Sequence, residues 1–148
     1  MFSTTLEYAL RAVTFLAGHP GEGMTAQRIA EATQVPEDYL SKVLQQLVRG
    51  EVLHSQRGRN GGFQLARDSG EISMLSVVNA VDPIRRIQRC PLGLRAHGVA
   101  LCPLHRRLDD AYALVEKAFA ATSLAELVED NRRREALCPS ELEVLHAG

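Results

Sequence analysis

No apolar run in the sequence approaches the roughly 18 residues that a membrane span requires. The opening residues, MFSTTLEYAL, are already amphipathic and lack the charged-then-apolar pattern of a secretory signal. Neither membrane insertion nor secretion is expected. Cysteine is scarce: three residues, too few and odd in number for a disulfide-stapled scaffold, which favours a reducing, cytoplasmic setting. Catalytic fingerprints are missing as well. There is no phosphate-binding loop, nucleophile elbow, HExxH pair or dinucleotide-binding pattern, and Gly58 to Gly62 lack the strand-to-helix context such loops need. An enzyme with a small-molecule substrate is therefore not expected. Net charge is nearly absent too, at −1, which taken whole argues against nucleic acid.

The charge that is present is unevenly placed. Residues 1–67 carry seven bases against six acids, and 68–83 carry three acids alone. Residues 84–107 hold six arginines (Arg85, Arg86, Arg89, Arg95, Arg106, Arg107) and no acid. Residues 108–148 then hold four bases against nine acids. The chain is a mosaic, and its arginine stretch also contains Cys90 and Cys102. A solvated face is the plain reading of such a run, but the coincidence with two cysteines marks it for attention. With 148 residues, 45% hydrophobic, the chain has the length of one domain or of a small domain with an appendage. A chain this long buries about two-thirds of its unfolded surface.

Hydrophobic spacing outlines the elements. In STTLEYALRAVTFLA, Leu6, Ala9, Leu10, Val13 and Leu16 recur at helical intervals behind a capping Ser3. HPGEG breaks this helix, and Thr25 caps a short second one, AQRIAEAT, with Arg28 at its third position. After a turn at Gln34-Val35, Pro36 is expected at the first position of a third helix, with Leu40, Val43, Leu44, Leu47 and Val48 on one face and Gly50 at its end. Two helices joined by a short turn suggest a helix-turn-helix. A strand starting at Val52-Leu53, a basic glycine turn RGRNGG and a returning strand Phe63–Ala66 add a hairpin with a basic tip. The expected fold is mainly α with a small β-hairpin, a winged helix-turn-helix over residues 1–82. A helix from Met74 to Val81 stops at Pro83, and 83–102 reads as a cysteine-containing loop. Leu104, Leu108, Ala111, Tyr112, Val115, Ala118 and Phe119 then outline a long helix over 103–121, whose apolar stripe suits dimerisation. Residues 122–148 read as a short acidic helix, capped by Thr122-Ser123 and reaching about Glu129, followed by a loosely ordered tail with Cys138.

In a helix-turn-helix the second helix enters the major groove by its N-terminal half. Lys42 can reach guanine or phosphate there, Ser41 either, and Gln45 adenine. Arg57 and Arg59, carried by a turn with Gly58, Gly61 and Gly62, can approach a backbone or enter a minor groove. The candidate DNA-contacting set is Arg28, Asp38, Tyr39, Ser41, Lys42, Gln45, Arg57, Gly58, Arg59, Gly61 and Gly62. The cysteines share a second pattern, since all three precede proline, a pairing also found in the ferredoxin cluster motif. Cys102 lies at the N-terminus of the long helix, where the macrodipole and the flanking arginines favour a thiolate. Cys90, His97, Cys102 and His105 fall within sixteen residues. Only Cys102 and His105 have the close spacing of a tight zinc site, so structural zinc is not favoured. A sensor fused to a DNA reader is the better reading.

The segments TTLEYALRAVTFLA, PEDYLSKVLQQLVRGEVL and SQRGRNGGFQLAR, followed by a cysteine loop, resemble the Rrf-two family of winged-helix regulators over roughly residues 1–120. The resemblance implies a homodimer with crossed C-terminal helices on a palindromic double-stranded operator, and in many members an iron–sulfur cluster that sets operator affinity. By position it puts Ser41 and Lys42 on the base-reading face and Arg57 in the minor groove. Cys90, Cys102 and His105 match the first and third of the family's three loop cysteines and a histidine after the last. The middle position is Ala96, which cannot bind iron, so [2Fe–2S] is favoured over [4Fe–4S]. Glu7 stands where some members recruit a carboxylate from the first helix of the partner subunit, and His97 is an alternative to His105. Two other readings remain open: a Cys90–Cys102 thiol–disulfide switch without a cluster, and a winged helix that binds a protein and keeps structural cysteines.

Overall fold

The computed structural model describes residues 2–59, 61–93 and 100–137. Asn60, the loop residues Arg95, Ala96, His97 and Gly98, and the Cys138-Pro139 tail lie outside them. Helix α1 (Thr4–Ala17) starts where Ser3 Oγ accepts from the Leu6 N–H and buries Leu6, Ala9, Val13 and Leu16. Helix α2 (Ala26–Thr33) starts at Thr25, whose Oγ1 accepts from the Arg28 N–H. It stops at Gln34, which takes the left-handed conformation (φ 55°) and redirects the chain within two residues. A non-glycine residue there is held at a cost of about 1–2 kcal/mol, which the burial of Val35 beside it helps to offset.

Helix α3 (Glu37–Arg49) begins one residue later than expected. Pro36 is its N-cap, with ψ at 129°, and not its first helical residue. Proline still suits the place, because its missing N–H is not needed there. Gly50 does close α3, but the left-handed residue is Glu51 (φ 59°). The glycine is required for packing instead: a Cβ at position 50 would come within 2.5 Å of the Ala80 Cβ on the neighbouring helix.

Strands β1 (Leu53–Gln56) and β2 (Gly62–Leu65) pair antiparallel, with Leu53 opposite Leu65 and Gln56 opposite Gly62. Met24, just before α2, adds a third rung: its N–H donates to the Phe63 carbonyl and its carbonyl accepts from the Phe63 N–H. That pairing ties the wing to the helix-turn-helix. A 3-10 turn over Ser69–Glu71, for which the periodicity gave no sign, leads into α4 (Met74–Val81), capped by Ser73. Residues 83–93 form neither helix nor strand, and α5 (Pro103–Ala121) follows with Pro103 at its first position.

Helix α6 (Leu124–Leu137), the last among the described residues, runs eight residues beyond the expected end at Glu129. A capping box starts it: Ser123 Oγ accepts from the Glu126 N–H and Glu126 Oε2 accepts from the Ser123 N–H. An Arg133–Glu129 pair at i,i+4 spacing supports the extension. Leu124 is fully buried, and Leu127 and Val128 lean on the same core, so α6 docks against α1. The Leu124 N–H to Ile72 carbonyl bond and the Met74 N–H to Thr122 carbonyl bond lock its start to the start of α4. One core therefore joins α1, α2, α3, the wing base and α6 through Val13, Leu16, Ile29, Leu40, Leu44, Leu47, Leu53, Ile72 and Leu124. Helix α5 contributes no buried residue.

Candidate DNA interface and thiol–imidazole centre

Burying Leu40, Val43, Leu44 and Leu47 turns the other face of α3 to the surface. Lys42 and Gln45 are exposed there. With Ser3, Thr5, Tyr39 and Arg49 they line a groove of about 520 Å³ between the start of α1, α3 and the end of α4. Ser41 is half-buried and its hydroxyl donates back to the Glu37 carbonyl at 3.0 Å. Tyr39 is anchored rather than loose: its hydroxyl shares a hydrogen bond with Thr5 and its ring meets Tyr8 edge-on at 5.4 Å. Asp38 is exposed in the first turn of α3, where a carboxylate also suits the helix dipole. Arg28 is exposed on α2.

At the wing, Arg57, Gly58 and Arg59 are all exposed. The three glycines have different reasons to be there. Gly58 adopts φ 110° in open space, so conformation alone selects it. A Cβ on Gly61 would meet the Gln56 carbonyl oxygen at 2.4 Å, and one on Gly62 would meet the Met24 backbone at 2.5 Å. Gly61 and Gly62 thus have sufficient cause inside the fold, in closing the turn and letting Met24 pair with β2. No DNA contact is needed to explain them.

The second candidate site gathers at the N-terminus of α5. Cys102 is the N-cap, and His105 stands one turn on, with its Nδ1 3.0 Å from the Cys102 Sγ. Cys90 arrives from the loop and places its Sγ 3.8 Å from the same nitrogen. The three donor atoms lie within 4.8 Å of one another, and all three residues are half-buried. Two sulfurs and an imidazole nitrogen form a soft donor set that suits zinc, copper(I) or an iron–sulfur cluster better than a hard cation. Glu7 is not among the converging groups. It is exposed on α1 and paired with Arg11, and α1 begins beside the far end of α5, where Phe2 meets Phe119 at 5.2 Å. His97 lies outside the described residues.

One arginine of the basic stretch has a different role from the expected one. Arg86 is committed to two carboxylates of α5. Its Nε and Nη2 donate to both oxygens of Asp109 at 2.7 Å, and its Nη1 donates to Glu116 at 3.0 Å. The Ile87 N–H adds a bond to Asp109 Oδ1 at 2.8 Å. Hydrogen bonding to Arg86 holds the Asp109 carboxyl down at about 2, with the Ile87 amide acting in the same direction, and the two carboxylates raise the guanidinium further. The sequence did carry a signal for this network, since Asp109 and Glu116 are seven residues apart on one helix. Counting the arginines as a patch hid it.

Residues 2–130 match the family described as Rrf2: Iron-dependent Transcriptional regulator. The chain is 33% identical over 130 residues to the HTH-type transcriptional regulator NsrR of Geobacillus kaustophilus, covering 84% of this chain and 86% of that protein. Among solved structures it resembles T. potens IscR (TM-score 0.74, 21% identity, 88% of each chain). It also resembles CymR, the global cysteine regulator of B. subtilis (TM-score 0.72, 21% identity, 87% of this chain and 96% of that one). At that identity the two structures establish the winged-helix fold alone. Among the described residues no helix is long and apolar enough to cross a membrane. The chain belongs to the Rrf2 family of transcriptional regulators, and it is a DNA-binding regulator, not an enzyme.

Proposed function

We propose that the protein is a homodimeric cytoplasmic repressor that binds a palindromic operator, with an affinity set by an iron–sulfur cluster held through Cys90, Cys102 and His105. The observation that carries the reading is the convergence of those three donors within 4.8 Å at the start of α5. They fit the group in chemistry, and three donors leave one ligand to be supplied. Glu7 from a second copy is the favoured fourth ligand, consistent with its separation from the centre within one chain, and His97 is the alternative to His105. Two cysteines with histidine and carboxylate ligation favour [2Fe–2S] over [4Fe–4S], and replacing thiolate by histidine raises the potential. When bound, such a cluster supplies a centre whose charge and integrity respond to oxidation.

The chain's own residues then have distinct tasks. Cys102 sits where the N-terminal dipole of α5 favours a thiolate. Lys42, Gln45 and Ser41 present the reading face, with Tyr39, Asp38 and Arg28 on its flanks, and Arg57 and Arg59 grip the backbone or minor groove from the wing. Helix α4 packs on both α3 and α5, so a shift of α5 and of the 83–93 segment held to it is felt by the reading helix. The domain scheme follows: reader over 1–82, sensor loop over 83–102, dimerisation helix over 103–121, and a closing segment over 122–148. Protein purified without oxygen should absorb visible light and contain iron and sulfide, and Cys102→Ala should lose both while remaining a dimer. A colourless wild type that resists reconstitution would remove the cluster from the account.

A thiol–disulfide switch is the second reading, favoured by the 3.0 Å approach of Cys102 to His105 and the nearness of the two sulfurs. One peroxide would take two electrons and two protons from Cys90 and Cys102, giving one disulfide and two waters. Mass spectrometry after mild peroxide decides it, and absence of that linkage with unchanged operator binding excludes it. Steep weakening of operator binding with salt distinguishes both readings from a protein-binding winged helix.

A further inference from the structure

The three donors of the thiol–imidazole centre are not held in the same way. Cys102 and His105 belong to one end of α5 and keep their spacing whatever the preceding loop does. Cys90 comes from a segment with no secondary structure of its own, and something must fix it. Four residues before it, Arg86 engages both oxygens of Asp109 and reaches Glu116, while the Ile87 N–H takes the same Asp109 oxygen. Asp109 and Glu116, two turns apart, share one face of α5. A side chain and the adjacent backbone amide are thus anchored together, which fixes the path of the chain at 86–87. From that anchor the loop runs back along α5, past Asp109 towards His105, and delivers Cys90 3.8 Å from His105 Nδ1.

A lone surface ion pair would count for little, but bidentate geometry within a network is the exception. The Asp109 side chain is only 15% exposed. Groups that orient a metal ligand from outside the ligand set typically change affinity by about 10- to 100-fold when removed. We propose that Arg86 is a positioning residue: by locking residues 86–87 to Asp109 and Glu116 it holds Cys90 against Cys102 and His105, and so sets how tightly the centre grips a thiophilic metal. The proposal rests on the reading of this centre as metal-binding.

Anaerobic titration of the full-length reduced protein with cobalt(II) tests both and separates them. Wild type should show a sulfur-to-cobalt absorption band from two thiolates. Arg86→Ala should retain wild-type helix content by circular dichroism and bind cobalt about 10- to 100-fold more weakly. At saturation its band should fall to about half, because Cys90 drops out while Cys102 and His105 stay on their helix. Arg86→Lys should recover part of the affinity, since one ammonium can meet a carboxylate but cannot form the fork. Asp109→Asn keeps an acceptor for the Ile87 N–H and should lose less than Arg86→Ala. Full affinity and a full band in Arg86→Ala would overturn the positioning role alone. A band lost entirely together with helix content would also overturn it, because the tether would then be holding the helix end and not Cys90. A wild type that binds no cobalt would overturn the metal reading first, before any variant is compared.

Discussion

Helices α3 and α5 carry the same kind of apolar stripe and use it in opposite ways. In α3, thirteen residues long, Leu40, Val43, Leu44 and Leu47 are all at most 1% exposed. In α5, nineteen residues long, nothing is buried, and Leu104 and Leu114 are 64% and 68% exposed, with Leu108 and Tyr112 also at the surface. Spacing at three and four tells which face of a helix is apolar. It does not tell what covers that face. The stripe of α3 is explained inside the chain by α1, α2 and α4, whereas the stripe of α5 is an exposed apolar patch that asks for a second surface. Under the proposed function that surface is the same helix in another copy.

The largest expected effect comes from breaking the first of these stripes. Leu44→Ala should destabilise the protein by about 2–5 kcal/mol, the usual cost of a leucine-sized cavity in a closed core, measured by urea unfolding. Leu114→Ala on α5 should change the stability of the isolated protomer by no more than about 0.5 kcal/mol. In sedimentation, however, Leu108→Ala with Leu114→Ala should shift the protein towards monomer. A double variant as dimeric as wild type would take α5 out of the interface. Equal destabilisation by the α3 and α5 substitutions would abolish the contrast altogether.

The same contrast explains which parts of the structure were legible in the sequence. Elements that close on their neighbours along the chain could be read off: Ser3 and Thr25 as caps, the buried face of α3, the hairpin, and α5 from Pro103 to Ala121. Features set by contacts distant in sequence could not. Gly50 ends α3 as expected, but the close passage of α4 that forbids a side chain there had no sign in the sequence. Helix α6 looked short and acidic because its few apolar residues, Leu124, Leu127 and Val128, give a weak pattern that gains meaning only against α1. At the candidate site, Cys90, Cys102 and His105 were picked out by residue type, and the structure does bring them together. For the tether that seats Cys90 the sequence held only the seven-residue spacing of Asp109 and Glu116, a weak sign when their partner Arg86 lies more than twenty residues away.

A smaller effect separates the reading face from the wing. Arg57→Ala removes a guanidinium from an exposed turn that has no part in the core, so the fold should be unchanged. Operator binding should weaken by about 1–3 kcal/mol, or about 5- to 150-fold, and equally with and without the cluster. If Arg57 contacts phosphate, the loss should be uniform across operator sequences and the salt dependence should flatten by about one unit. Loss confined to particular base changes would point to minor-groove reading. No loss at all would leave the reading helix as the sole contact and reduce the wing to a structural hairpin.

The smallest effect belongs to the tether, and pH gives its sign. Hydrogen bonding to Arg86 lowers the Asp109 carboxyl to about 2, below the 3.8 of an unperturbed carboxyl. A group lowered on folding adds stability above its unfolded value, and that stability is lost as pH falls through the folded one. Arg86 stays charged throughout, so only the carboxylate titrates. The contribution should therefore be constant from neutrality to about pH 5, shrink progressively below it, and vanish only at about pH 1. Comparing wild type with Asp109→Asn isolates it: a small difference in melting temperature at pH 7 should persist at pH 5 and shrink to a fraction of itself by about pH 2. The pair is near the surface, so high salt should narrow the gap at every pH. A gap as wide at about pH 2 as at neutrality would mean that Asp109 acts there through shape and hydrogen bonding to the Ile87 amide and not through its charge.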